Sequence, residues 1–361
     1  MSASASRERE VLGRIERARA RAPRFDEPRI TMAHGAGGKA SRALVEGLLA
    51  PMLGSPAPLV LDDAAKFSVE GTPLAVTTDS FVVRPLRFPG GSIGELAVNG
   101  TVNDLAVSGA RAEALVVSVV LESGLQTSVL EAELRAMADA AQRAGVRIVG
   151  GDTKVVEHGK ADGLYITTTG IGRAISGMAI DPRSVRAGDA VIISGPIGDH
   201  GITILLARGD LDFEADLRSD TRPVLPLVEA LVAAAGSGIR WMRDPTRGGV
   251  ATSLNELARD ARLGVLLVED AVPMHEAVRG ACELLGLDPL HIANEGQFLT
   301  VVSPDSVDHA LSALHATPGG AEARVVGVVQ AEPAGTVLGQ TGYGATRVID
   351  MLVGDPLPRI C

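Results

Sequence analysis

Val146-Arg147-Ile148-Val149-Gly150-Gly151-Asp152-Thr153-Lys154 is the stretch whose reading decides the fold class. Val146 to Val149 has the β-branched composition of a strand, and two glycines then free the backbone for a turn. Asp152, Thr153 and Lys154 would place a carboxylate, a hydroxyl and an ammonium beside the free amides of Gly150 and Gly151. That set suits a metal-bound phosphate. A surface loop with an ion pair is the plainer alternative. Upstream, Ala114 to Leu121 reads as a buried strand and Ser128 to Arg143 as an amphipathic helix. Downstream, the strand Leu164 to Thr169 ends at Gly170-Ile171-Gly172. Strands alternating with helices across glycine turns predict an α/β (α+β) chain.

The composition agrees. The 361 residues suffice for two ordinary domains or one large α/β unit. Hydrophobic residues make up 46% but aromatics only 2%, so the core must be built from Ala, Val, Leu and Ile. Asp plus Glu number 44 against 34 Lys plus Arg, a net charge of -10, which argues against nonspecific binding to nucleic acid or an anionic membrane. An excess of aspartate still suits a site where metal ions carry a phosphate. Two cysteines make no disulfide framework, and the lack of an apolar leader segment predicts a cytoplasmic protein. No run reaches the roughly 18 apolar residues of a membrane span.

Carboxylates recur at strand ends. Leu59 to Leu61 leads to Asp62-Asp63, and Leu74 to Thr78 leads to Asp79-Ser80, so both pairs are candidates for a shared divalent-cation site. Ile93 to Ser108 is apolar on most of its circumference and reads as a buried helix. Asp104 shares a side with Ile93, Ala97 and Gly100, with no basic residue one turn away, so it must be protonated, paired from elsewhere or bound to metal. Asn99 and Asn103 form a separate polar stripe that could read a ligand or bond to neighbouring backbone. Earlier still, His34-Gly35-Ala36-Gly37-Gly38-Lys39 opens a helix-like segment at Ser41. It is a phosphate-cradle candidate or a plain turn, and it lacks the spacing of a Walker A loop.

A linker-like stretch from Ser176 to Gly188 predicts a domain boundary near residue 180. The second half restarts with the strand Ala190 to Ser194 and the glycine turn Gly195 to Gly201. Arg243-Asp244-Pro245-Thr246-Arg247-Gly248-Gly249 follows before a helix, and Ala293-Asn294-Glu295-Gly296 before a strand. Residues 1–29 read as a solvated, partly helical extension (Arg7 to Arg21). Residues 354–361 end in Pro356-Leu357-Pro358-Arg359-Ile360-Cys361, an extended arm able to reach roughly 25 Å. In an extended chain Arg359 and Cys361 share a face, where the guanidinium would favour the thiolate. Cys282, in an apolar helical run, reads as a core residue.

Taken together, His34-Gly35-Ala36-Gly37-Gly38, Asn103-Asp104-Leu105-Ala106, Gly151-Asp152-Thr153-Lys154, Gly198-Asp199-His200-Gly201, Asp244-Pro245-Thr246-Arg247-Gly248-Gly249, Ala293-Asn294-Glu295-Gly296 and the terminal Pro358-Arg359-Ile360-Cys361 resemble the hydrogenase maturation factor HypE family, of the PurM-like ATP-binding superfamily. The resemblance covers residues 30–361. Gln297 departs from it, standing where the family usually has Lys or Arg.

The resemblance implies a PurM-like N-terminal ATP-binding domain over residues 30–180, with a mixed sheet, and a C-terminal α/β sandwich over 181–353. It implies a homodimer joined through the N-terminal sheets, with ATP and Mg2+ in a cleft near the interface. It also implies a reaction in which HypF carbamoylates Cys361 and ATP drives dehydration of that thiocarboxamide to a thiocyanate. The HypC–HypD complex then receives the cyano group for the iron of [NiFe] hydrogenase. Phosphorylating the amide oxygen turns oxide into a better leaving group, phosphate. Under this reading Asp63, Asp79, Asp104 and Asp152 hold magnesium, with Asp62 at the margin. Lys154 stabilises charge on the phosphoryl group, and Glu295 takes the amide protons. His34, Gly37, Gly38, Asn103, Gly151, Thr153, Thr246 and Arg247 contact nucleotide or substrate. The alternatives are another PurM-like ATP user, such as a selenophosphate synthetase or a small-molecule kinase, and a noncatalytic scaffold whose tail is a docking peptide.

Overall fold

The computed structural model describes residues 25–54, 62–178, 180–209, 215–354, 357 and 359–361. The expected helix Arg7 to Arg21, the strand Leu59 to Leu61 and the two tail prolines lie outside the described residues. Two sheets organise the chain. The first is five-stranded, in the order β1 (Ala65–Val69), β2 (Thr72–Phe81), β7 (Leu164–Ala174), β5 (Ala110–Glu122), β6 (Arg147–Val156), with a two-stranded ribbon β3 (Arg87–Phe88) and β4 (Gly91–Ser92) beside it. β5 and β6 run parallel, joined by the helix Thr127–Ala144, and the other neighbours are antiparallel, so this sheet is mixed.

β6 corrects the reading of the opening stretch. Gly150 to Lys154 continue the strand to Val156. The two glycines mark an irregularity in the pairing with β5, where Leu115 faces Ile148 but Val116 faces Gly150. A Cβ on Gly151 would lie 2.0 Å from the carbonyl oxygen of Val117. Glycine here allows a close approach of two strands, and a turn is not formed.

One face of this sheet is covered by the helix Ile93–Val107, which packs on β2, β5 and β7 and against Thr127–Ala144. It is buried nearly all round because its sequence is apolar nearly all round. Glu133 of the second helix, itself fully buried, accepts a hydrogen bond from Gly94 N at 3.1 Å and so caps the first. The far end of that first helix leaves its own domain: Ala106 and Val107 pack with Ile192 and Met242 of the second sheet and with Phe298 just before one of its strands. Asp104 is thereby held at the junction of the two halves.

The second sheet has seven strands in the order β14 (Thr346–Ile349), β13 (Val337–Gln340), β10 (Gly264–Val268), β12 (Arg324–Gln330), β8 (Ala190–Ile193), β11 (Leu299–Val302), β9 (Ile239–Arg243). The helix Gly249–Ala261 and the strands β8, β10 and β11 bury one core, and the helices Leu225–Ala235 and Val307–Ala316 bury another. Cys282 is buried in the helix Glu276–Leu285, and burial pushes its thiol pKa up to about 11.

Candidate active site

Four aspartates from separate elements meet at the domain junction. Asp79 comes from β2, Asp104 from the helix Ile93–Val107, Asp63 from the turn before β1 and Asp244 from the loop after β9. Burial raises the pKa of all four, since enclosure by protein disfavours charge. For Asp104 the fields of Asp244, Asp63 and Asp79 add to that rise, against a single hydrogen bond from the Thr77 hydroxyl at 2.9 Å. Two arginines compensate in part. Arg243 Nε lies 3.2 Å from Asp63 and Arg247 Nη2 lies 3.6 Å from Asp79. Asp62 is at the rim, 4.0 Å from Arg243.

Among the described residues no three such side chains converge tightly enough to enclose an ion unaided. The donor set is nevertheless hard oxygen with an excess of negative charge. That fits Mg2+, which is held by one or two carboxylates and completed by phosphate oxygens and water. Asp244 and Arg243 were missed as site residues by sequence reasoning. The signal was present, because Asp244 follows a strand end as Asp63 and Asp79 were expected to do.

Glu295 lies beside this cluster. It is buried, and burial followed by the fields of Asp244, Asp79 and Asp220 raises its pKa well above the usual carboxylate range. Its Oε1 has no hydrogen-bond partner among the described residues. Its backbone is pinned from two sides: Asp220 accepts from the Glu295 and Gly296 amides at 3.0 and 3.1 Å, and Asn103 Nδ2 donates to the Glu295 carbonyl at 3.0 Å. Asn103 also donates to the Arg222 carbonyl and accepts from Val224 N. This corrects the expectation for Asn103, whose amide is occupied in positioning the Glu295 loop. Gln297 is likewise explained locally: it is buried and accepts from Ser194 Oγ at 2.8 Å and Arg222 at 3.3 Å.

Asp152, Thr153 and Lys154 stand apart. In the sheet register Ser80 pairs with Thr167, Thr167 with Ser118, and Ser118 with Asp152. Asp152 therefore shares the open face with Ser80, while Asp79 faces the helix side with Thr77 and Phe81. Three strand spacings also separate β2 from β6, roughly 14 Å. Asp152 instead accepts from Lys154 Nζ at 2.6 Å and from Thr153 N at 2.8 Å, which together hold its pKa low. Within one chain Asp152 and Lys154 do not join the other aspartates.

The His34–Lys39 loop departs from a phosphate cradle. The amides of Lys39 and Ala40 donate to the carbonyls of Leu352 and Val353, and Gly37 N donates to Ser41 Oγ. Gly37 and Gly38 are needed for close packing: added Cβ atoms would lie 2.6 Å from Arg247 Cβ and 2.2 Å from the Leu352 carbonyl. Thr246 donates its hydroxyl to Asp244, and Arg247 Nη1 donates to the Gly35 carbonyl at 2.9 Å. His34 is buried, with Nδ1 accepting from Thr31 N at 2.8 Å and Nε2 3.1 Å from Glu27.

His34 and Arg247 border a cavity of about 360 Å³ whose lining also includes Met32, Ala36 and Cys361. The described tail residues lie inside the molecule. Val82 N donates to the terminal carboxylate of Cys361 at 3.0 Å and Arg84 N to the Arg359 carbonyl at 3.4 Å, so the arm adds a short antiparallel segment just past β2. Leu357, Ile360 and Cys361 are buried in the core shared by the two domains. Arg359 has a positive φ of 60°, which ends the alternation expected of an extended arm, and its guanidinium pairs with Asp162.

The chain is similar to known proteins in both sequence and fold. The chain matches the families described as AIR synthase related protein, N-terminal domain, over residues 61–174, and AIR synthase related protein, C-terminal domain, over residues 186–340. It is 48% identical over 333 residues to the carbamoyl dehydratase HypE of Rhizobium leguminosarum bv. viciae, covering 92% of this chain and 95% of that protein. Among solved structures, a HypE–HypF complex superposes with a TM-score of 0.81 at 40% identity, covering 86% of this chain and all of that one. HypE in complex with ATP gives 0.77 at 44% identity, covering 92% and 100%. With 48% identity spanning more than nine-tenths of both chains, and both AIR synthase related domains matched, the chain belongs to the HypE family of carbamoyl dehydratases.

Proposed function

We propose that this chain binds ATP with Mg2+ and dehydrates a carbamoyl group carried on its own Cys361, as a step in hydrogenase maturation. The observation that carries this reading is Arg247. It lines the cavity that Cys361 also lines and lies 3.6 Å from Asp79 of the acidic cluster, so one side chain links the terminal residue's cavity to the carboxylates.

Asp63, Asp79, Asp104 and Asp244 would hold Mg2+, which neutralises phosphate charge when bound. Arg247 lies where it can stabilise a transferred phosphoryl group. Glu295, with an oxygen unpartnered among the described residues and a raised pKa, is the base for the amide protons. The sum is S-carbamoyl plus ATP giving S-cyano, ADP and phosphate. The amide oxygen leaves in phosphate, and the two amide protons go to the base and solvent.

A homodimer supplies what one chain lacks. The open face of the first sheet exposes Val116 and Ile171, and the edge strand β6 exposes Ile148, Val149 and Val155. Pairing of two such sheets would bring Asp152, Thr153 and Lys154 of a second copy towards the cleft. HypF as a partner is supported by the solved HypE–HypF complex, and its role as carbamoyl donor is expected on family grounds. HypC–HypD as the acceptor and a cytoplasmic location are expected on the same family grounds. No helix among the described residues is long and apolar enough to cross a membrane.

The test is intact mass of the carbamoylated protein before and after ATP and Mg2+. Loss of one water, localised to Cys361, is expected. Unchanged mass with active partner and nucleotide would refute the reading.

A further inference from the structure

The arm is held at the carbonyl of its penultimate residue by a residue to which no role has so far been given. His200 stands in the first turn of the helix Asp199–Ala207 and is fully buried. Its Nε2 lies 2.7 Å from the carbonyl oxygen of Ile360, the peptide that precedes Cys361. Its Nδ1 lies 2.8 Å from Ser219 Oγ. The tautomer follows from the network. The Ile360 carbonyl can only accept, and burial keeps the ring neutral, so Ser219 Oγ, which also accepts from Thr221 N at 3.1 Å, gives its hydrogen to His200 Nδ1. Nε2 then carries the ring proton and donates it to the arm. The ring is braced edge-on by Phe88, with centroids 5.6 Å apart.

The next two residues lead to the catalytic loop. Asp220 accepts from the Glu295 and Gly296 amides, and the Thr221 hydroxyl accepts from Asn99 on the helix that also carries Asp104. A Cβ on Gly296 would lie 1.8 Å from the Asp220 carbonyl, so the two segments are in direct backbone contact. Three consecutive residues thus touch the arm's anchor, the loop of the proposed base and the metal-bearing helix.

We infer that His200, oriented by Ser219, is the positioning residue that seats the terminal arm, and that Ser219-Asp220-Thr221 holds this seat in fixed register with Glu295. The seat itself is independent of the dehydratase reading; only its effect on turnover rests on that reading.

The test separates the ring's hydrogen from its bulk. His200→Phe keeps the ring and loses the donor, whereas the amide of His200→Gln can reach the same carbonyl. The readout is the rate at which iodoacetamide alkylates Cys361 in the full-length, uncarbamoylated protein, mapped by peptide mass with buried Cys282 as the internal control for folding. His200→Phe should raise the Cys361 rate about tenfold, the population shift expected when a buried carbonyl loses its donor. His200→Gln should return it to within about threefold of wild type. A wild-type rate in His200→Phe overturns the inference, as does a His200→Gln variant as reactive as His200→Phe. If His200→Phe fails to fold, as Cys282 alkylation would reveal, Ser219→Ala replaces it. That variant should raise the Cys361 rate about threefold, and no rise overturns the inference equally. In carbamoylated protein, slower water loss in His200→Phe with unchanged ATP affinity is expected. If wild type loses no water while the alkylation pattern holds, the seat stands and the dehydratase reading falls.

Discussion

Asp79 and Asp152 lie on opposite faces of one sheet, three strands apart, although the sequence presents both as carboxylates of a single metal site. If both serve one reaction, they do so from different subunits. In the proposed homodimer, Asp79→Asn and Asp152→Asn should each abolish activity. Mixing the two variants under subunit exchange should restore up to about a quarter of wild-type sites, because half the dimers are mixed and each has one intact cleft. Absence of recovery, with exchange verified by mass, would place Asp152 outside the active site.

Asp104 sets function against stability. Its pKa is raised by burial and by three neighbouring carboxylates, so the stability it contributes is present at acid pH and is lost as pH rises through the raised value. Without metal, Asp104→Asn should stabilise the protein at pH 7.5 by about 0.5–2 kcal/mol and abolish Mg2+-dependent ATP turnover. Thermal melts in EDTA, together with phosphate release, test both halves. A lower melting temperature would show that Asp104 is compensated as it stands.

Glu295→Gln preserves shape and removes the base. Water loss from the carbamoylated protein should fall by about 10²–10⁴-fold, with ATP affinity nearly unchanged. A comparable loss of ATP affinity would mark Glu295 as a nucleotide contact.

Asn103→Ala removes two donors that hold the Arg222 and Glu295 carbonyls. Destabilisation of about 1–3 kcal/mol is expected from the unpaired carbonyls, with turnover reduced more than ATP affinity. Unfolding in urea and nucleotide titration measure the two effects separately. A selective loss of ATP affinity would return Asn103 to the role its sequence position suggests.

His275 gives a pH signature. Its Nδ1 lies 2.9 Å from Asp199, and that hydrogen bond raises its pKa above 6.5. The stabilisation is fully present below 6.5 and fades as pH rises through the raised value. His275→Ala should lower the melting temperature at pH 6 by an amount worth less than about 1 kcal/mol, since the ring is half exposed. The difference should fade at alkaline pH, above the raised value. An equal deficit at both pH values would point to packing.

The α/β class and the buried helix Ile93–Val107 were legible because periodicity and apolar content report burial directly. Asp104 was legible for the same reason, as a charge with no local partner. The Gly150-Gly151 turn was misread because glycine signals backbone freedom without saying how it is used, and here it is spent on close strand approach. Asn103, Asp220 and His200 bond to groups 119 to 192 residues distant, or 75 in the case of Asp220, and local pattern carries no trace of such pairings. The split of Asp79 from Asp152 depends on strand order, which adjacency in sequence does not encode.

The arm docked beside Val82 makes the protein an intramolecular competitor for its own terminus. A tethered segment of this length holds an effective concentration on the order of millimolar at its seat. Any protein that loads or unloads Cys361 must outbid that occupancy or wait for the undocked fraction. Handover is therefore governed by how firmly the seat closes as well as by partner affinity. A seat that is too tight would slow exchange as surely as one that is too loose would slow chemistry.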